Sequence, residues 1–447
     1  MESFHSVAIV GAGISGLYAA HLLKGRFPDL VVLEAQDRIG GRIKQVHGLA
    51  PWPVEAGPEF IHGRNCEVVR YLETQMGATF EEKEWPEWWY FNKEAGGQGL
   101  LHDEQVDDEV DKVHDLFGDC GDEPFPPPGQ DMSAAEWMKQ KGCTKRQIAV
   151  ADACYANDFA CNLEHLGVRE MIEENRRWDS GESYLIYDGS TGAMVNHMAD
   201  RIGRDRIRLN WHVAGIEYGN NGAVVKCRDG RSVRCGAVLV TVPISLLQRN
   251  VIAFSPPLPA AKQTAIQRIK MGNALKIIIN FSRKFWPDNM YDVVCPGSFI
   301  PEFWMLTKTP TDPTAATPYT VVGFLAGDRT QAVASMGDTE AQRRFLEQLD
   351  AIFGKPEDPH PASSSVVKGV VHDWAKEPYA LGAYTYPSLG AELGDRAALG
   401  APVGRLFFAG EHCNESINPC MQGAMQTAER AAELMVAALA APLRSRL

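Results

Sequence analysis

Gly11, Gly13 and Gly16 stand in the spacing G-x-G-x-x-G, and the acid Glu34 follows eighteen residues after the last of them. That set of residue types can hold a dinucleotide. Gly11 allows a tight bend, Gly13 lets backbone N–H groups approach a pyrophosphate, and Gly16 lets a helix pack on a strand. Ile14 and Ser15 open the helix, whose N-terminus turns its positive end toward the phosphates. Glu34 can accept hydrogen bonds from a ribose 2′-OH, and its neighbour Ala35 joins the cofactor-contacting set.

The elements needed to position these residues flank them. Val7-Ala8-Ile9-Val10 is a short apolar run of the kind that forms a buried parallel strand, and Leu17, Ala20, His21 and Lys24 then fall at helical spacing. A second apolar run, Leu30-Val31-Val32-Leu33, leads into Glu34. With 41 glycines in 447 residues, roughly 0.3 chance matches to the glycine pattern are expected, so the flanking strand, helix, strand and acid make it specific. Arg38-Ile39-Gly40-Gly41-Arg42 comes where a nicotinamide enzyme would continue into a second helix. Two cations beside a glycine pair suit a second approach to the same pyrophosphate.

On these residues the chain resembles the flavin-dependent amine oxidase family, which includes monoamine oxidases, polyamine oxidases, L-amino acid oxidases and histone demethylases. The resemblance implies FAD as cofactor. It places Gly57, Pro58, Glu59 and Phe60 of the segment Glu55–Gly63 beside the flavin ring, with His62 near the amine as in polyamine oxidases. Glu59 and Phe60 supply an acid and an aromatic where an L-amino acid oxidase commonly has an arginine, which favours a cationic substrate.

Further along, the resemblance lets Val213 touch adenine and links Lys276 through water to flavin N5. Trp374 forms one wall of the site, Tyr384 is an aromatic cage residue, and Gly410 and Glu411 face the ribityl chain. The helix opened by Pro419, Cys420, Met421 and Ala424 would stabilise negative charge at the flavin N1 and C2=O. Two departures matter. Ala383 stands where monoamine oxidases carry the cysteine that bonds to the flavin, so FAD is expected to be non-covalent. Cys420 stands where the second cage aromatic is common, which widens the expected substrate site. The substrate set is therefore Glu59, His62, Tyr384 and Cys420, and the residues expected to act in catalysis are Lys276, Tyr384 and His62.

The charge balance is −13, from 44 basic and 57 acidic residues, with no long basic run, which argues against nucleic acid binding. Ten cysteines without a C-x-x-C pair or a Cys/His cluster read as reduced thiols in an intracellular protein without a metal. The first strand begins by about Ser6, leaving no room for a signal peptide, and nothing approaches eighteen consecutive apolar residues, so no membrane anchor is expected. Ser445-Arg446-Leu447 resembles a peroxisomal address; the expected location is peroxisomal or cytoplasmic.

The expected fold is α/β: an FAD-binding Rossmann-like domain with two dinucleotide-binding motifs, and a discontinuous α+β substrate-binding domain. Residues 1–80, 193–288 and 395–447 are assigned to the first, and 81–192 and 289–394 to the second. Within the second, Glu81–Phe91 reads either as an amine-attracting wall or as a partly buried strand with a charged flank. Ser133 with Glu136 three residues on forms a capping-box pattern. A lysine inside the apolar run Ala274–Ile279 needs a partner or a task.

The expected reaction is oxidation of an amine, a polyamine in the first instance. Hydride passes to flavin N5, O2 is reduced to H2O2 and the imine is hydrolysed. The expected partners are a small cationic amine and O2. An L-amino acid oxidase is the alternative within the class; outside it stand a flavin-binding protein of this fold without turnover and, more distantly, a nicotinamide dehydrogenase.

Overall fold

A computed structural model describes residues 4–93, 95–306, 319–416 and 419–440. Among them, eight strands form one sheet. Its central strand, Phe4–Val10, lies parallel to Val31–Leu33 on one side and to Ser232–Val240 on the other, and Leu406–Phe408 is parallel to Ser232–Val240. Val7 and Ile9 point to one face, packing with the helices Ile14–Leu23, Thr191–Ile202 and Met421–Ala440; Ala8 and Val10 point to the other. Burial on both faces is why these strands read as unbroken apolar runs. The G-x-G-x-x-G turn leaves the carboxyl end of the central strand, where ligands of open α/β sheets bind.

A seven-stranded sheet runs Val366–Asp373, Ala274–Phe281, Tyr319–Ala326, Glu302–Leu306, Asp292–Val294, Trp88–Phe91 and Gly99–His102. This corrects one expected boundary. Ala274–Phe281, assigned above to the nucleotide domain, lies inside this second sheet, paired on both edges. All eight of its residues are buried because both faces are covered, and that pattern alone cannot say which sheet a strand joins. Leu275, Ile277, Ile279 and Phe281 face a core under the helix Asp338–Phe353, and Ala274, Lys276, Ile278 and Asn280 alternate onto the opposite face. Cross-strand register puts Glu302, Phe324, Lys276 and His372 in one row on that face.

A small antiparallel sheet joins Phe60–His62 to Tyr184–Tyr187 and Phe80–Lys83. The run Glu81–Phe91 divides between this sheet and Trp88–Phe91 of the larger one. The Ser133–Glu136 capping box forms in both directions at the start of Ala134–Gln140. The last helix starts at Met421, with Cys420 giving its carbonyl to the Ala424 N–H, so Pro419 precedes the helix instead of lying in its first turn. Ser445, Arg446 and Leu447 lie outside the described residues, as does Asn418. No helix among the described residues is long and apolar enough to cross a membrane.

Candidate active site

A cavity of ≈ 990 Å³ runs from the glycine turn to the face of the second sheet. At the nucleotide end Gly11 takes φ +107°, a conformation that favours glycine, and a Cβ on Gly16 would stand 2.0 Å from the Gly11 carbonyl oxygen. Gly13 differs. A Cβ there would meet nothing nearer than the Gly41 Cα at 4.0 Å, so its open side faces the cavity it lines. Gly40 donates its N–H to the Ala12 carbonyl at 2.8 Å and bridges to Gly13, so the second glycine pair closes onto the first.

Glu34 is held by the Ala12 N–H at 2.7 Å and the Gln36 N–H at 2.8 Å. Burial raises its pKa, and these backbone donors oppose the rise. Ala35 and Val213 line the cavity beside it. The Ser15 hydroxyl is buried without a protein partner, as is Nδ1 of His412, whose pKa burial lowers to about 4. Both residues line the cavity. A glycine-lined turn at a helix N-terminus, an orphaned hydroxyl and an acid held by backbone N–H groups fit an FAD adenosine diphosphate.

The two arginines behave differently from the sequence reading, which aimed both at the pyrophosphate. Arg38 donates to the carbonyls of Gly41 at 2.8 Å, Ile39 at 3.2 Å and Ile43 at 3.3 Å, so it braces the second glycine turn from inside. Arg42 donates to Glu411 at 2.9 Å. Burial would raise the Glu411 pKa, but Arg42, His412 and the Thr385 hydroxyl outweigh it and hold the carboxyl below its usual range. Gly410, at φ +140°, turns the chain into Glu411.

At the other end Trp374 donates from Nε1 to the Ala56 carbonyl at 3.1 Å. Gly57 is required by packing, since a Cβ would lie 2.1 Å from the Arg42 carbonyl oxygen. Pro58 accepts the Thr191 hydroxyl. Lys276, 5% exposed, donates to the carbonyls of Gly57 at 2.7 Å and Glu55 at 3.3 Å and to Glu59 Oε2 at 2.6 Å. Glu59 Oε2 also accepts the Trp304 indole N–H at 3.1 Å. Glu59 is therefore the counter-ion of Lys276, not a free acid for the substrate: the sequence showed a lysine needing a partner and an acid near the ring, but not that they meet.

Phe60 packs edge-on against Trp304, Tyr184 and Tyr291. His62 lies edge-on to Tyr184 at 5.1 Å, and burial lowers its pKa to about 4, so it is neutral at physiological pH. Tyr384 donates its hydroxyl to the Asp158 carbonyl at 2.5 Å. Cys420 lines the cavity near Tyr384 and Tyr184, and burial pushes its thiol pKa up, as it does for both phenols. Met421 and Ala424 continue the same wall.

Among the lining residues that escaped the sequence reading are Asp158, Tyr184, Glu302 and Trp304. Burial raises the pKa of both Asp158 and Glu302, that of Glu302 to about 7. A usable signal for Glu302 was its period-two spacing to Trp304 in an otherwise apolar strand.

A Rossmann-like turn feeding one cavity shared with a second sheet defines a dinucleotide-dependent oxidoreductase. The profile of the flavin containing amine oxidoreductases matches residues 14–436, and the chain belongs to that family. It is similar to the probable polyamine oxidase 4 of Arabidopsis thaliana, at 29% identity over 427 residues covering 92% of this chain and 82% of that protein. It is also similar to the flavin-containing amine oxidase B of Sus scrofa, at 24% identity covering 98% and 87%. Cyclohexylamine oxidase from Brevibacterium oxydans shares the fold at a TM-score of 0.83 and 23% identity, covering 97% of this chain and 99% of its own. Putrescine oxidase bound to putrescine does so at 0.82 and 20%, with the same coverage. The protein is an FAD-dependent amine oxidase.

Proposed function

We propose that the protein oxidises a di- or polyamine, with O2 as acceptor. One observation carries this reading: the substrate branch of the cavity is acidic and aromatic along its length. Its lining includes the exposed Asp119 and Glu182, the half-buried Asp158 and the buried Glu174 and Glu302, together with Trp178, Trp85, Tyr155, Tyr184 and Tyr384. Among the described lining residues the arginines are Arg38, Arg42 and Arg228, near the glycine turns and His212. Lys276 is already bound to Glu59. A substrate carboxylate would find no free cation in that branch, which weighs against an L-amino acid.

Gly13, Ser15, Glu34, Glu411 and the start of Met421–Ala440 would hold the FAD. When bound, FAD accepts hydride from the carbon bearing the amine. Tyr384, fixed through its hydroxyl, orients the amine, while the aromatic walls exclude water and strengthen its contacts with the acids. His62 keeps a neutral imidazole beside that amine. Lys276 and Glu59 keep a charged hydrogen-bond donor in a fixed place.

A peroxide-release screen over spermine, spermidine, their acetylated forms, putrescine, simple monoamines and L-amino acids tests the reading. Turnover highest on a di- or polyamine is expected. Turnover confined to monoamines or to L-amino acids would overturn it.

A further inference from the structure

Lys276 Nζ donates to the Gly57 carbonyl at 2.7 Å, the Glu55 carbonyl at 3.3 Å and Glu59 Oε2 at 2.6 Å. Three acceptors use three N–H bonds, so the group is an ammonium. Glu59 Oε2 is fixed from a second side by the Trp304 indole N–H at 3.1 Å, and the same indole turns its face to the ammonium, 5.0 Å from the ring centroid. One tryptophan therefore holds both members of the pair. Their side chains are 6% and 7% exposed, a setting in which water screens a charge poorly and its field reaches further.

Both residues line the cavity, beside Ala56, Gly57 and Trp374 and at the opposite end from the glycine turn. An FAD threaded from Gly13 past Glu411 would bring its ring to this end. The other charges here are already matched or stand apart. Glu377 takes Lys44, and Glu411 takes Arg42. His372, opposite Lys276 in the strand register, is neutral because burial lowers its pKa to about 4. The Glu55 carboxyl turns to Gln45 Nε2 at 3.1 Å, and burial raises its pKa. Glu302 stands two strands from Lys276, about 10 Å. Glu59 is thus the carboxylate in contact with the lysine.

We infer that Glu59 is a positioning residue for the flavin chemistry: it neutralises Lys276 and so holds the reduction potential of bound FAD below the value the lysine alone would set. The inference goes beyond the substrate reading above and does not depend on which amine is oxidised. Two-electron reduction leaves negative charge on the flavin ring, and a fixed cation nearby stabilises that charge. A carboxylate 2.6 Å from the cation cancels most of its field at the ring, because seen from there the pair is a short dipole. A lower potential weakens the pull on the electron pair of the substrate and eases the passage of electrons to the acceptor.

The test is the midpoint potential of the FAD-loaded protein, measured anaerobically against reference dyes at neutral pH. Glu59→Gln keeps an oxygen for Lys276 and Trp304 but removes the negative charge. The potential should rise by the equivalent of at least a tenfold change in the redox equilibrium, about 30 mV for a two-electron couple. Lys276→Gln leaves the carboxylate, still held by the Trp304 N–H, and should lower the potential. The double variant restores a neutral site and should return close to the wild-type value. Opposite signs in the single variants that cancel in the double are the mark of charge; lost packing would not reverse sign. A Glu59→Gln potential that is unchanged or lowered, or shifts of one sign in both single variants, would overturn the inference. Should Glu59→Gln fail to retain FAD, the other two variants decide: a potential that falls in Lys276→Gln and recovers in the double supports it, and any other pattern overturns it. No substrate enters these measurements, so the outcome of the peroxide screen leaves them untouched.

Discussion

Lys276 Nζ lies 2.6 Å from Glu59 Oε2, with both side chains buried and the two residues 217 positions apart in sequence. The Gly57 and Glu55 carbonyls complete the lysine's hydrogen bonding, and Trp304 steadies the glutamate. A lone lysine in this strand would be costly; here the cation is paired, donated and aimed at the cavity.

Breaking a buried pair on one side leaves an uncompensated charge, at a cost of about 3 to 5 kcal/mol. Lys276→Met should therefore lower stability by that order, and Lys276→Met with Glu59→Leu should recover part of it. Urea unfolding of the FAD-loaded variants measures both. Lys276→Met should also slow flavin reduction or reoxidation in rapid mixing; unchanged kinetics would remove the lysine from the reaction.

Gly13 and Gly16 separate cofactor binding from folding. Gly16→Ala drives a Cβ to 2.0 Å from the Gly11 carbonyl oxygen and should impair both fold and FAD retention. Gly13→Ala meets no protein atom closer than 4.0 Å and fills cavity space instead. It should fold normally and lose flavin. Visible absorbance after gel filtration, set beside thermal unfolding, distinguishes the two.

Ala383 offers no thiol to the flavin. Acid precipitation should leave a colourless pellet and a yellow supernatant. Flavin retained in the pellet would contradict non-covalent attachment.

His412 is 3% exposed and titrates at about 4, against an ordinary value of 6.5, because burial disfavours the imidazolium. The unfolded chain takes up this proton first, so the stability that neutral His412 contributes is present above about 6.5 and lost as pH falls toward 4. In His412→Gln, the stability lost between pH 7 and pH 5 should be smaller by about 2 kcal/mol. Urea titrations at the two pH values check the sign and size.

The nucleotide half was legible because its signals are local: glycine spacing, the unbroken apolar run Val7–Val10 and an acid at a fixed offset all sit within about thirty residues. Lys276 stood out because a charge in an apolar strand is anomalous. Its partner did not, since nothing in sequence brings residue 59 to residue 276. Asp158 and Glu302 were hidden for the same reason: one ends a helix, the other starts a strand, and only packing joins them. Arg38 and Arg42 show the converse. Their charge was read as directed at the cofactor, but backbone carbonyls and Glu411 claim their donors, which only three dimensions reveal.

The central claim is that FAD in this cavity is reduced by an amine bearing a second cationic group. Anaerobic mixing of the yellow protein with spermidine, and separately with a monoamine of similar length, tests it most directly. Bleaching of the flavin absorbance at a much lower concentration of spermidine than of monoamine is the predicted result. A flavin that stays oxidised with both, or that only the monoamine bleaches, would contradict it.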